Sequence, residues 1–158
     1  MNQHKSNLIR GCIFAILSLL LLCFIFSNSA QPREESAAQS MSIVSILKPL
    51  LDPHDRIPED VFHNAVRKAA HFAEFAALGF SLAGLSDCLP WKRKKQRLAM
   101  PLLVSLLVAV TDEVIQIFSP LRGPGVKDVL LDFCGAAFGV ACMLVLLLII
   151  RRLKIRNE

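Results

Sequence analysis

Residues 111–135 read TDEVIQIFSPLRGPGVKDVLLDFCG and join two apolar segments through a turn with two prolines and two glycines. The charged residues of this stretch are Asp112, Glu113, Arg122, Lys127, Asp128 and Asp132. Charges inside apolar segments are expensive to hold in a bilayer, so they mark candidate functional sites. The stretch therefore predicts two membrane helices that carry a polar cluster at one face of the membrane.

The composition indicates a small membrane protein that crosses the bilayer several times. The chain has 158 residues, 54% of them hydrophobic, and the apolar residues come in long blocks. The net charge of +5 arises from short basic runs beside those blocks, as at the flanks of membrane helices. Because no zinc-finger spacing, Gly-rich phosphate loop or basic–aromatic pattern occurs, we expect no nucleic-acid partner. The five cysteines form no CxxC pair and are interpreted as buried apolar residues.

The apolar blocks predict an all-α membrane protein with four transmembrane helices and a short interfacial amphipathic helix. The predicted segments are a cytoplasmic N-terminus (1–7), a first span (8–26), an extracytoplasmic loop (27–67) containing the amphipathic helix (41–51), a second span (68–89), a basic cytoplasmic loop (90–97), a third span (98–118), an extracytoplasmic loop (119–127), a fourth span (128–150) and a cytoplasmic tail (151–158). Residues 8–150 form one domain. A cleaved signal peptide is the alternative for the first span, but its apolar part is long and the following residues make a poor cleavage site.

The distribution of basic residues predicts the orientation. The segments assigned to the cytoplasm, counted together with the span ends that adjoin them, hold 11 of the 18 Lys and Arg residues, Arg10 included, but only Asp87 and Glu158 of the 13 acids. Cytoplasmic loops carry an excess of Lys and Arg. We therefore expect a multi-pass protein of the plasma membrane with both termini in the cytoplasm.

A second group of polar residues precedes and enters the second span. Lys68, His71 and Glu74 recur at intervals of three residues, so their side chains point broadly one way. The helix ends that carry them and residues 111–135 lie on the same side of the predicted membrane. The predicted site consists of Arg67, Lys68, His71, Glu74, Asp112, Glu113, Gln116, Arg122, Asp128 and Asp132. The alternative is a lattice of ion pairs that only fixes how the helices pack.

The residue types of this cluster favour binding over catalysis. Arginine and lysine side chains engage phosphate and carboxylate groups, which predicts an anionic or zwitterionic head group, or a peptide, as ligand. His71 and Glu74 are candidates for a general base and the carboxylate that orients it. One histidine among carboxylates is a weak metal signature, so no metal and no cofactor is assigned. No catalytic residue is assigned either.

The same residues resemble the VanZ-like family of small membrane proteins. The resemblance covers nearly the whole chain and is carried by four motifs: FSNS (26–29), RKAAHFAEFAAL (67–78), DEVIQIFSPLR (112–122) and DVLLDFCGAAFG (128–139). Phe75 departs from the tyrosine usual in the family. The resemblance implies an integral membrane protein of the cell envelope, which in some members lowers susceptibility to teicoplanin.

Together these features predict a membrane protein whose outward-facing pocket binds a wall precursor, a lipid head group or a glycopeptide. Arg67, Lys68 and Arg122 would contact the anion, and His71 and Glu74 would form the proton-active or orienting pair. The acids expected to act as partners or cation ligands are Asp112, Glu113, Asp128 and Asp132. The alternatives are a membrane-embedded hydrolase or transferase acting on a lipid-linked substrate, and a structural membrane subunit.

Overall fold

A computed structural model describes residues 3–119 and 125–156 and contains helices only within those ranges. The helices are α1 (Gln3–Ala30), α2 (Arg33–Leu51), α3 (Glu59–Cys88), α4 (Lys94–Ile117) and α5 (Val126–Arg156). The predicted all-α class is therefore confirmed for the described part of the chain.

Three of the helices are long and apolar enough to cross a membrane: α1 over Asn7–Ala30, α4 over Lys95–Ile117 and α5 over Val126–Arg156. Large apolar side chains on their outer faces are exposed, for example Leu20 of α1 and Leu148 of α5. Such surfaces suit contact with lipid and indicate a protein that passes through the membrane more than once. The sequence predicted a fourth crossing through α3, but α3 is not among the helices that length and composition identify, because polar and small residues lower the hydropathy of its apolar part.

α2 is longer than the amphipathic helix predicted at 41–51. It begins at Arg33, directly after Pro32, and ends at Leu51. Residues 33–40 (REESAAQS) lack apolar periodicity, which is why the sequence suggested a loop, but Glu, Ala and Gln are good helix formers. α2 packs on α3, where Val44 is buried and the Nε2 atom of His63 lies 3.3 Å from the carbonyl oxygen of Ala37.

α3 lies at the centre of the bundle and contacts each of the other four helices, α5 most extensively. It begins at Glu59 after Pro58, as the Pro-Glu-Asp signal predicts. Its crossing with α5 is close: a Cβ atom on Gly135 would overlap the carbonyl group of Phe72, and one on Gly139 the carbonyl group of Ala76. The spacing Gly135-xxx-Gly139 thus permits close helix approach, as expected for small residues at membrane-helix contacts.

At one end of the bundle, a single carboxylate joins four helices. Asp87 of α3 pairs with Arg10 of α1 at 3.5 Å, with Arg97 of α4, and with Arg151 of α5 at 2.8 Å. We call these four residues the Asp87 cluster. The side chain of Asp87 is 9% exposed, whereas those of the arginines are 29–53% exposed. The cluster thus fixes the helix ends while the guanidinium groups stay partly in solvent.

Candidate functional site

The opposite end of the same four helices buries the carboxylate of Asp112, which accepts hydrogen bonds from a hydroxyl and an amide. Asp112 of α4 is fully buried. Its Oδ1 atom accepts a hydrogen bond from the hydroxyl of Ser29 at 2.5 Å, and its Oδ2 atom accepts one from the amide of Gln116 at 2.8 Å. Asp112 and Gln116 lie one helical turn apart and so share a face of α4. The hydroxyl of Ser119 also donates to the carbonyl oxygen of Ser29 at 2.9 Å, which fixes the end of α1 against the end of α4.

α3 and α5 run parallel, and polar residues of the two helices pair in the same order along the chain. The ammonium group of Lys68 lies 3.3 Å from the Oδ1 atom of Asp128. One turn deeper, the Nδ1 atom of His71 lies 4.0 Å from the Oδ1 atom of Asp132. The close glycine crossing follows immediately along both helices. It therefore sets the register that brings Lys68 beside Asp128 and His71 beside Asp132.

Two further carboxylates complete the cluster. Glu74 of α3 accepts a hydrogen bond from the side-chain amide of Asn28 at 3.2 Å. Glu113 of α4 accepts one from the backbone N–H of Gly125, the residue that precedes α5. We call the assembled set the carboxylate cluster: Asn28, Ser29, His71, Glu74, Asp112, Glu113, Gln116 and Asp132.

A small cavity opens beside the carboxylate cluster. It is lined by Arg67, Lys68, His71, Gln116, Asp128, Leu131 and Asp132. Its volume, measured for the centre of a water molecule, is about 10 Å³, at the lower limit for holding one water. Half of the Lys68 side chain is exposed, so Lys68 and the neighbouring Arg67 form the rim. Arg122, the remaining predicted anion contact, lies outside the described residues.

One histidine and two carboxylates of the cluster are close enough to share an ion. Each of His71, Asp112 and Asp132 offers a ligand atom, and the three atoms lie within 4.8 Å of one another. Asp112 and Asp132 are buried and His71 is half-buried. Asp112 and Asp132 are two of the four acids that the sequence predicted as partners or cation ligands. The structure places these two close to His71.

A model of the VanZ/LLP1 family matches residues 14–149, most of the chain. The chain belongs to the VanZ/LLP1 family. This confirms the resemblance recognised from the four motifs. Neither a search of curated proteins nor a search of solved structures finds a match. The matched range contains the whole carboxylate cluster, so the site of this VanZ/LLP1 protein lies within the part that defines its family.

Sequence reasoning missed the contribution of α1 to the site. Asn28 and Ser29 hydrogen-bond Glu74 and Asp112, yet the predicted site drew only on residues of α3, α4, α5 and the loop between α4 and α5. A signal was present, since both residues belong to the FSNS motif. Ser and Asn are common where helices end, and the motif was therefore interpreted as the end of the span.

A larger cavity of this VanZ/LLP1 protein, about 450 Å³, lies between α2 and the start of α3. Three of its charged groups are already engaged: Lys48 pairs with Asp55, and Asp52 accepts hydrogen bonds from the backbone N–H groups of Ile57 and Arg56. These two N–H groups hold the pKa of Asp52 below its ordinary value. The contacts tie the turn between α2 and α3, so the size of this cavity does not mark it as the functional site.

Proposed function

We propose that this VanZ/LLP1 protein crosses the plasma membrane four times, through α1, α3, α4 and α5, with both termini in the cytoplasm. Support for α3 as the fourth crossing comes from its central position, where neighbouring helices cover much of Glu74 and Asp87, the two acids of the predicted span. The arginines of the Asp87 cluster favour a cytoplasmic location for that end. The carboxylate cluster would then face the outer leaflet, and α2 would lie along the outer surface.

We further propose that the carboxylate cluster is a binding site acting at the cell envelope. The observation that carries this proposal is the burial of acids at one end of an apolar bundle: Asp112, Glu113 and Asp132 are at most 7% exposed. Buried ionisable groups in a membrane bundle are costly and typically mark a ligand or ion site. Purely as packing, they could be replaced by apolar residues at little or no cost in stability.

The ligand class follows from the rim. Arg67 and Lys68 would bind a phosphate or carboxylate of a wall precursor, a lipid head group or a glycopeptide. Because the cavity admits about one water, such a group would rest over the rim, with the buried acids below it. Through this contact the protein would lower susceptibility to teicoplanin.

The test is teicoplanin susceptibility in a sensitive Gram-positive host that expresses the protein, with vancomycin as the comparison antibiotic. Wild type is expected to raise the teicoplanin concentration needed for inhibition, and Glu74→Gln is expected to abolish the effect at equal membrane levels. Glu59→Gln, on the exposed first turn of the same helix, is the matched control. Equal protection by wild type and Glu74→Gln would contradict a role for the cluster. Absence of protection by wild type would contradict the teicoplanin assignment.

The grouping of His71, Asp112 and Asp132 favours one second candidate, a membrane-embedded hydrolase or transferase acting on a lipid-linked substrate. In that case His71 would serve as the proton-transferring group. The candidate predicts that purified wild-type protein releases product from a lipid-linked wall precursor and that His71→Ala does not. No release by wild type would exclude that substrate.

A further inference from the structure

We infer that His71, Asp112 and Asp132 bind one divalent transition-metal ion between α3, α4 and α5. The inference rests on the proposed assignment of the carboxylate cluster as a functional site. It adds the chemical class of the ligand, a metal ion, bound at the deepest part of the cluster. The experiment below measures metal binding directly. Metal binding can therefore be absent in a protein that protects against teicoplanin, and present in one that does not.

The spacing of the three ligand atoms suits a metal. In a tetrahedral site with bonds of about 2.1 Å, ligand atoms lie about 3.4 Å apart. The three atoms here lie within 4.8 Å of one another, and the His71–Asp132 pair is at 4.0 Å. Small side-chain rotations would bring all three to bonding distance. Three protein ligands would leave a position for water, as in catalytic zinc sites.

Asp132 supplies the independent observation. Asp132 is 2% exposed, and its Oδ1 atom accepts no hydrogen bond from the part of the chain that the structure describes. The imidazole nitrogen 4.0 Å away is beyond hydrogen-bonding distance. Buried polar atoms are nearly always satisfied by protein, water or an ion. A buried carboxylate oxygen directed toward a histidine and a second carboxylate is therefore placed to accept a cation.

The cavity matches an ion in size and position. It borders His71 and Asp132 and holds about one water-sized body. Gln116 also borders the cavity, and its side-chain amide donates a hydrogen bond to the Oδ2 atom of Asp112. Ser29 donates to the other oxygen. Such hydrogen bonds to a ligating carboxylate orient it and are typical of metal sites.

The donor set decides the class of metal. Carboxylate oxygens alone would suit Mg²⁺ or Ca²⁺, whereas imidazole suits zinc, copper, iron and nickel. One imidazole with two carboxylates therefore points to Zn²⁺ or Mn²⁺. No thiolate lies in the set, which makes Cu(I) a poor fit.

The experiment uses the full chain, purified in detergent with a tag that contains no histidine and stripped of metal. ZnCl₂ and MnCl₂ are titrated separately by isothermal titration calorimetry, and retained metal is measured by mass spectrometry. Wild type is expected to bind one ion per chain. Asp132→Asn and His71→Ala are each expected to weaken binding about 100-fold or more, since loss of a direct ligand exceeds the 10–100-fold typical of outer-shell partners.

Two controls separate the site from adventitious binding. His63→Ala removes a histidine two turns away on α3, and Asp60→Asn removes an exposed acid at the start of the same helix. Both are expected to bind metal as wild type does. The inference is overturned if wild type binds neither ion, or if Asp132→Asn binds as tightly as wild type. Thermal unfolding of each variant, monitored by circular dichroism, shows whether a loss of binding occurs in folded protein.

Discussion

The two ends of the helix bundle hold carboxylates in opposite ways. Asp87 meets the guanidinium groups of Arg10, Arg97 and Arg151, all of which are partly exposed. At the other end, Asp112 is fully buried and accepts hydrogen bonds from a hydroxyl and an amide, and Asp132 faces an imidazole at 4.0 Å. One end sets a single acid against three arginines, whereas the other gathers several buried acids between the helices.

This difference distinguishes a structural ion-pair cluster from a functional site. An ion pair whose cation reaches solvent avoids most of the desolvation cost and ties helix ends together. Acids buried deep between helices bear more of that cost, and they keep the capacity to take up a proton, a metal or a ligand. We therefore expect substitutions at the Asp87 cluster to change mainly stability, and substitutions at the carboxylate cluster to change mainly function.

The largest effect is expected where both clusters depend on the same contact, the α3–α5 crossing. In Gly139→Ala, the new Cβ atom would overlap the carbonyl group of Ala76, so the helices must separate. We expect a loss of about 3 kcal/mol or more in the free energy of unfolding. Gly11→Ala is the control, because its Cβ atom meets only Cys88, at 3.4 Å. Denaturant unfolding in detergent compares the two, and equal stabilities would contradict the close crossing.

Asp87→Asn is the next largest expected change. It leaves three arginines at one helix end without their carboxylate, which we expect to cost about 2–3 kcal/mol, between the values for exposed and buried pairs. Metal binding and teicoplanin protection per folded molecule should stay at wild-type levels. A folded Asp87→Asn protein that loses either property would show that the two clusters are not functionally separate.

Much of this arrangement could be predicted from the sequence, because it depends on local patterns. Apolar blocks predicted helices, and the three-residue spacing of Lys68, His71 and Glu74 placed them on one side of α3. The spacing of the small residues Gly135 and Gly139 is also visible in the sequence, and the structure places both at a close helix crossing. Each of these features is set by helix geometry over a few turns.

The specific pairs could not be predicted, because they depend on how the helices are registered against each other. Helical spacing alone does not say that His71 faces Asp132, or that Ser29 of α1 reaches Asp112 of α4. The length of α2 was also missed, because residues 33–40 form a helix without an apolar stripe. Propensity and contact with α3 outweighed periodicity there.

Ser29→Ala tests whether a neutral donor supports a buried acid. Removing the hydroxyl takes one hydrogen bond from the buried Asp112, which we expect to cost about 1–2 kcal/mol of unfolding free energy and to weaken metal binding. Ser105→Ala is the matched control: Ser105 is equally buried, and its hydroxyl makes no hydrogen bond to any residue the structure describes. Its loss should leave stability nearly unchanged. Equal effects of the two substitutions would contradict a supporting role for Ser29.

Asp132→Asn should change stability least and separate the two ends most clearly. Neutralising this acid removes the cost of a buried charge, so the free energy of unfolding of metal-free protein should stay within about 1 kcal/mol of wild type or rise. The same variant should lose metal binding. Asp87→Asn should do the reverse, with lower stability and unchanged binding. Functional sites often retain such a destabilising group, because removing it improves the fold and ends the activity. If thermal and denaturant unfolding instead show that Asp132→Asn lowers the free energy of unfolding as much as Asp87→Asn does, then Asp132 stabilises the bundle as Asp87 does. The carboxylate cluster would then be a second structural cluster.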